Sequence, residues 1–164
     1  MSKLIIDAYE FCRLKEQRDG TLAISELARV HNEAPDEHRS VGWSITGGAD
    51  AVGHAELTLD VGGVVSLLCQ RCLSPVDVDV TSHSSLVLAR SEEEADGIEA
   101  LLANDAVDVV VITEKIDVAE LIEDEILLAI PQSVKHEVCP SETTALYAAV
   151  EKPSVFDVLK NLKL

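Results

Sequence analysis

The sequence predicts an α+β fold in which a mainly antiparallel β-sheet carries helices packed on one face. Three observations point there. Ala55 to Val61 alternates apolar and polar residues with period two, Val76, Val78 and Val80 alternate with Asp77 and Asp79, and helical spacing of apolar residues becomes clear only beyond Asp117. Strands grouped between short glycine turns favour antiparallel pairing over βαβ crossovers. A chain of 164 residues that is 47% apolar has material for one sizeable core. Residues 1–164 are therefore expected as a single domain, with a less typical N-terminal segment at 1–40 and an acidic loop at 92–106.

Each element follows from its local pattern. Leu4, Ile5 and Ile6 make a short extended opening, and a mixed-charge stretch leads to Gly20. Ser25 to Val30 reads as a short helix ended by Pro35. Strands are expected near 41–46, 52–61, 64–69, 76–80, 84–90 and 107–112. Gly47-Gly48 and Gly62-Gly63 read as turns, the second as a tight hairpin into Val64; neither has the spacing or the Lys-Ser/Thr of a phosphate loop. Glu92 to Asp105 lacks period-two character and reads as an exposed loop with a marginal helix, docked through Ile98, Leu101 and Leu102. Asp117 and Glu120 make a D-x-x-E start resembling a capping box, opening a helix to Pro131 that is expected to bury Leu121, Ile122 and Ile130. Thr144 to Val150 and the ending around Phe156, Leu159 and Leu162 read as helical, with Lys160 and Lys163 placed favourably for the last helix dipole.

Charge and composition exclude several functions. The net charge is −17, and thirteen acids against Lys115 alone between Glu92 and Glu125 supply −12 of it. Such a surface repels phosphate and attracts basic partners, or is simply solvated. One Trp, two Tyr and two Phe leave little for a base-stacking platform. No run approaches the roughly 18 apolar residues that span a bilayer, and Met1-Ser2-Lys3-Leu4 does not open a secretory signal. A cytoplasmic protein without membrane contact is expected. In that reducing compartment Cys12, Cys69, Cys72 and Cys139 are expected as free thiols or metal ligands.

The chemistry concentrates at Cys69-Gln70-Arg71-Cys72. Two thiols at that spacing serve as half of a metal knuckle, as a redox pair, or as buried residues of a plain turn. A closed zinc site needs two more ligands, and His136 and Cys139 offer an H-x-x-C that would complete Cys3His. The 63 residues between Cys72 and His136 leave that closure to tertiary structure. A thiol–disulfide oxidoreductase or redox sensor using Cys69 and Cys72 is the alternative, although Gln70-Arg71 opens no helix as the thioredoxin-like motif does. Arg71 would lower the pKa of a neighbouring thiol. No catalytic set converges elsewhere. Glu123, Asp124 and Glu125 are consecutive on a helix and point in different directions, which suits a solvated or partner-facing surface better than a cation site.

Three blocks in order resemble the YceD family, the large ribosomal RNA subunit accumulation proteins: Leu67 to Val76 around the C-x-x-C, Ile116 to Pro131 followed by His136 and Cys139, and the ending Lys152 to Lys163. The resemblance runs from about Leu57 to the end. It implies a non-enzymatic cytoplasmic role in the synthesis, processing or stability of large-subunit (23S) ribosomal RNA, with that RNA or its assembly particles as partner and a basic ribosomal protein as a further one. Thirteen Lys and Arg are few for extensive phosphate binding. Two contact modes suit the resemblance: the acidic surface, Glu123, Asp124 and Glu125 included, holds a basic ribosomal protein, or Gln70, Arg71, Lys160 and Lys163 touch RNA locally.

Overall fold

The computed structural model describes residues 4–36, 38–102, 107–113 and 115–139. Along the chain these form β1 (Ile5–Asp7), α1 (Ala8–Leu14), β2 (Gln17–Ala23), a 3-10 turn (Ile24–Glu26), α2 (Ala28–Glu33), β3 (Ser40–Ala49), β4 (Ala55–Leu68), β5 (Pro75–Ala89), α3 (Glu92–Leu102), β6 (Asp108–Val111), β7 (Lys115–Asp117) and α4 (Val118–Ala129). The chain divides into two compact units, Met1–Leu67 with Asp77–Gln132 and Leu68–Val76 with Ser133–Leu164. Among the described residues no helix is long and apolar enough to cross a membrane. The helices expected beyond Thr144, and with them Lys160 and Lys163, lie outside the described residues.

The fold is α+β, with an antiparallel-dominated sheet in the order β2-β3-β4-β5-β6 and a separate β1-β7 ribbon. β2 and β3, β3 and β4, and β1 and β7 pair antiparallel. β5 and β6 are parallel, because α3 carries the chain back across the sheet between them. Register sets the core face. Val41, Trp43 and Ile45 stand opposite Gly63, Val61 and Leu59, and the apolar side chains of this set are buried. Phe11 of α1 packs there, and its carbonyl oxygen lies 2.6 Å from where a Cβ on Gly47 would be.

Neither glycine pair is a turn. Gly47-Gly48 and Gly62-Gly63 lie inside β3 and β4, where Gly47 admits Phe11 and a Cβ on Gly63 would come within 2.9 Å of Val41 Cγ1. The two strands expected at 52–61 and 64–69 are therefore one, as are those at 76–80 and 84–90. The β3–β4 turn is built instead by Asp50, whose Oδ1 accepts from the backbone N–H groups of Val52, Gly53 and His54, with Gly53 at φ 107°. The expected acidic loop is largely helix. Ser91 Oγ accepts from Glu94 N–H, Glu94 Oε2 accepts from Arg90 N–H, and Ala95 and Ile98 pack on Val87 and Ala89. Leu102 packs beside them, whereas Leu101 is exposed. α1 and β2 replace the irregular opening.

Two aspartates start helices in the same way. Asp7 accepts from Glu10 N–H at α1, and Asp117 accepts from Ala119 N–H at α4. Helix α2 has no such residue, since Leu27 precedes it and cannot cap. Glu123 of α4 supplies the carboxylate: Oε1 accepts from Arg29 N–H at 2.5 Å and from Val30 N–H at 3.4 Å, and Oε2 takes Arg29 Nε at 2.8 Å. Arg29 also pairs with Asp124 at 2.6 Å. α4 turns Val118, Ile122 and Ile126 inward together with Glu123, while Leu121 and Ile130 are only half-buried. The buried stripe follows i, i+4 spacing and excludes Leu121 from its centre.

Ile122→Ala should cost about 2–5 kcal/mol, and Leu121→Ala distinctly less; the two denaturant midpoints check this. Glu123→Ala should cost about 1–3 kcal/mol by stranding two α2 N–H groups, and Glu123→Gln less, because an acceptor remains. Equal midpoints for wild type and Glu123→Ala would show that the Glu123 carboxylate does not stabilise α2.

Candidate metal centre

Cys69, Cys72, His136 and Cys139 belong to one unit, and their ligand atoms all lie within 4.8 Å of one another. The C-x-x-C occupies the connection between β4 and β5. Cys69 N–H donates to the Ser74 carbonyl and Leu73 N–H to the Cys69 carbonyl, each at 2.9 Å, which folds the connection into a tight knuckle. Leu73 completes it at φ 59°, a left-handed conformation that costs a residue with a Cβ about 1–2 kcal/mol. No helix starts at this pair, so the helix dipole that activates thioredoxin-like thiols is missing.

Segment 133–139 brings the other donors. Gln70 N–H donates to the Val134 carbonyl at 2.9 Å, and His136 N–H points at Cys69 Sγ, 3.5 Å away. Cys69 Sγ and Cys139 Sγ are 3.8 Å apart, and Cys72 Sγ lies 3.3 Å from His136 Nδ1. Tetrahedral zinc bonds of about 2.3 Å to sulfur would separate two ligand sulfurs by about 3.8 Å. His136 Nε2 is 3.0 Å from the Pro75 carbonyl. With Nε2–H donating there, the neutral ring leaves the Nδ1 lone pair facing the sulfurs, the outer-shell arrangement common in metal-binding histidines. Cys69 and Cys72 are buried, and His136 and Cys139 partly so.

Electrostatics favour thiolates at the C-x-x-C. Burial opposes ionisation of Cys69, but hydrogen bonds from the backbone N–H groups of Cys72, His136 and Arg71 outweigh it and bring the thiol to about 5. Cys72 is lowered chiefly by the Ser74 backbone N–H. Burial pushes Cys139 up. His136 is raised by its hydrogen bonds to the Cys69 and Cys72 sulfurs. All four cysteines of the chain are free thiols in this structure. Three thiols and one imidazole in tetrahedral reach are donors for a soft or borderline divalent ion.

The other residues singled out from the sequence are dispersed. Gln70 and Arg71 lie on the knuckle, but Arg71 turns toward the cluster, with Nε 3.0 Å from Cys139 Sγ. Glu123 is buried against α2, which withdraws it from any partner-facing surface, and Asp124 holds Arg29. Glu125 accepts a hydrogen bond from Ser82 Oγ. The residue sequence reasoning missed is Pro75, whose carbonyl orients His136; a backbone acceptor leaves no signal in side-chain spacing.

No solved structure matches the chain. Residues 57–163 match the family model described as large ribosomal RNA subunit accumulation protein YceD, a span that takes in all four donors. With well over half of its length inside that match, the chain belongs to the YceD family.

Proposed function

We propose that this protein is a non-enzymatic cytoplasmic factor that supports the synthesis, processing or stability of large-subunit ribosomal RNA, and that zinc holds its knuckle. The observation that carries the reading is the closure of the four donors, joined to membership of a family described by large ribosomal RNA subunit accumulation. A complete Cys3His set fills a tetrahedral shell, which suits a structural site rather than a catalytic one with an open position. Absence of a helix dipole and the presence of a fourth, imidazole donor favour this reading over a Cys69–Cys72 redox pair.

Charge divides the partners. Leu68–Val76 with Ser133–Leu164 contains five Lys and Arg against four Asp and Glu, a formal +1, so the other unit carries −18 of a chain total of −17. Phosphate contact is assigned to the smaller unit, with Gln70, Lys135, Lys160 and Lys163 as its polar and basic groups. A basic ribosomal protein suits the other unit, where α3 exposes Glu92, Glu93, Asp96 and Glu99.

In cells whose own copy is replaced, Cys69→Ser and Cys72→Ser should lower large-subunit RNA relative to small-subunit RNA. Wild-type ratios at wild-type protein level would show that the knuckle is dispensable. Replacing Glu92, Glu93, Asp96 and Glu99 by Lys should weaken capture of basic ribosomal proteins and flatten its salt dependence, because screened long-range attraction is removed. Unchanged capture would leave α3 as a solvated face.

A further inference from the structure

We propose that Arg71 is the positioning residue of the metal centre: its guanidinium neutralises the loaded site and holds Cys139 in the ligand set. The inference rests on the zinc reading above. Arg71 reaches from the first half of the site to the second, with Nε 3.0 Å from Cys139 Sγ and Nη2 donating to the carbonyls of His136 at 3.1 Å and Glu137 at 3.4 Å. These three contacts span both residues of the H-x-x-C pair. Nε and Nη2 of Arg71 are thus turned to the site rather than to an RNA phosphate.

The charge balance gives the contact its purpose. Zinc with three thiolates and a neutral imidazole carries −1, and one guanidinium brings the assembly to zero. Arginine stays protonated at every working pH and offers a fixed fork of donors, so it can touch sulfur and two carbonyls together. Cys69 Sγ has the backbone N–H of His136 3.5 Å away, and Cys139 Sγ has the Arg71 guanidinium, with Nε at 3.0 Å.

The test uses the full-length protein purified with zinc, and follows metal transfer to an excess of a chromogenic chelator. Outer-shell partners are commonly worth 10–100-fold in metal affinity, so Arg71→Ala should release zinc about 10–100-fold faster, with Arg71→Lys recovering part of the loss and Gln70→Ala close to wild type. Alkylation of the zinc-loaded protein, mapped by mass spectrometry, should mark Cys139 in Arg71→Ala ahead of Cys69 and Cys72. A purely structural loss would expose all three alike. Wild-type release from Arg71→Ala, or equal labelling of the three cysteines, would overturn the role of Arg71 and leave the zinc reading standing. Wild-type protein that contains no zinc would overturn both.

Discussion

Cys69, Cys72, His136 and Cys139 meet where two short segments of the smaller unit come together. In the described part of the smaller unit, nine residues at 68–76 meet seven at 133–139, and only Cys69 and Cys72 are buried. Segments of this size bury too little apolar surface to stabilise themselves and depend on metals, disulfides or a larger body. The left-handed Leu73, the turn bonds around Ser74 and the His136–Pro75 contact accompany one arrangement, in which three sulfurs and a nitrogen all lie within 4.8 Å of one another. On the zinc reading, binding free energy released there would be folding free energy for the unit.

The larger unit contains a buried carboxylate, that of Glu123. Glu123 spends its charge inside the fold, capping α2 from 94 residues away in sequence. With Asp124 it ties α2, which precedes the family match at 57–163, to α4, which lies inside it. The acidity of the chain is therefore of two kinds: Glu123 and Asp124 are engaged with Arg29, and α3 carries acids that face outward.

Residue chemistry was more legible than geometry. The strands at 41–46 and 107–112 and the helix opening at Asp117 follow from period and capping, and the structure has each within a few residues. The glycine pairs misled because glycine marks a turn or a close approach equally well, and only register shows that Gly63 sits opposite Val41. β2 hid its period because Arg18, Asp19 and Gly20 alternate little in polarity at a sheet edge. The acidic run concealed a helix whose Ser91 and Glu94 are a recognisable start. At the site, the donor types could be named from spacing, but closure across 63 residues, the turn of Arg71 toward Cys139 and the Pro75 acceptor belong to tertiary structure.

X-ray absorption at the zinc edge of the purified full-length protein tests most directly whether zinc sits among Cys69, Cys72, His136 and Cys139. The expected result is one zinc per chain with three sulfur neighbours at about 2.3 Å and one nitrogen at about 2.0–2.1 Å. A shell dominated by oxygen and nitrogen, or protein without zinc after purification in zinc-containing buffer, would contradict it.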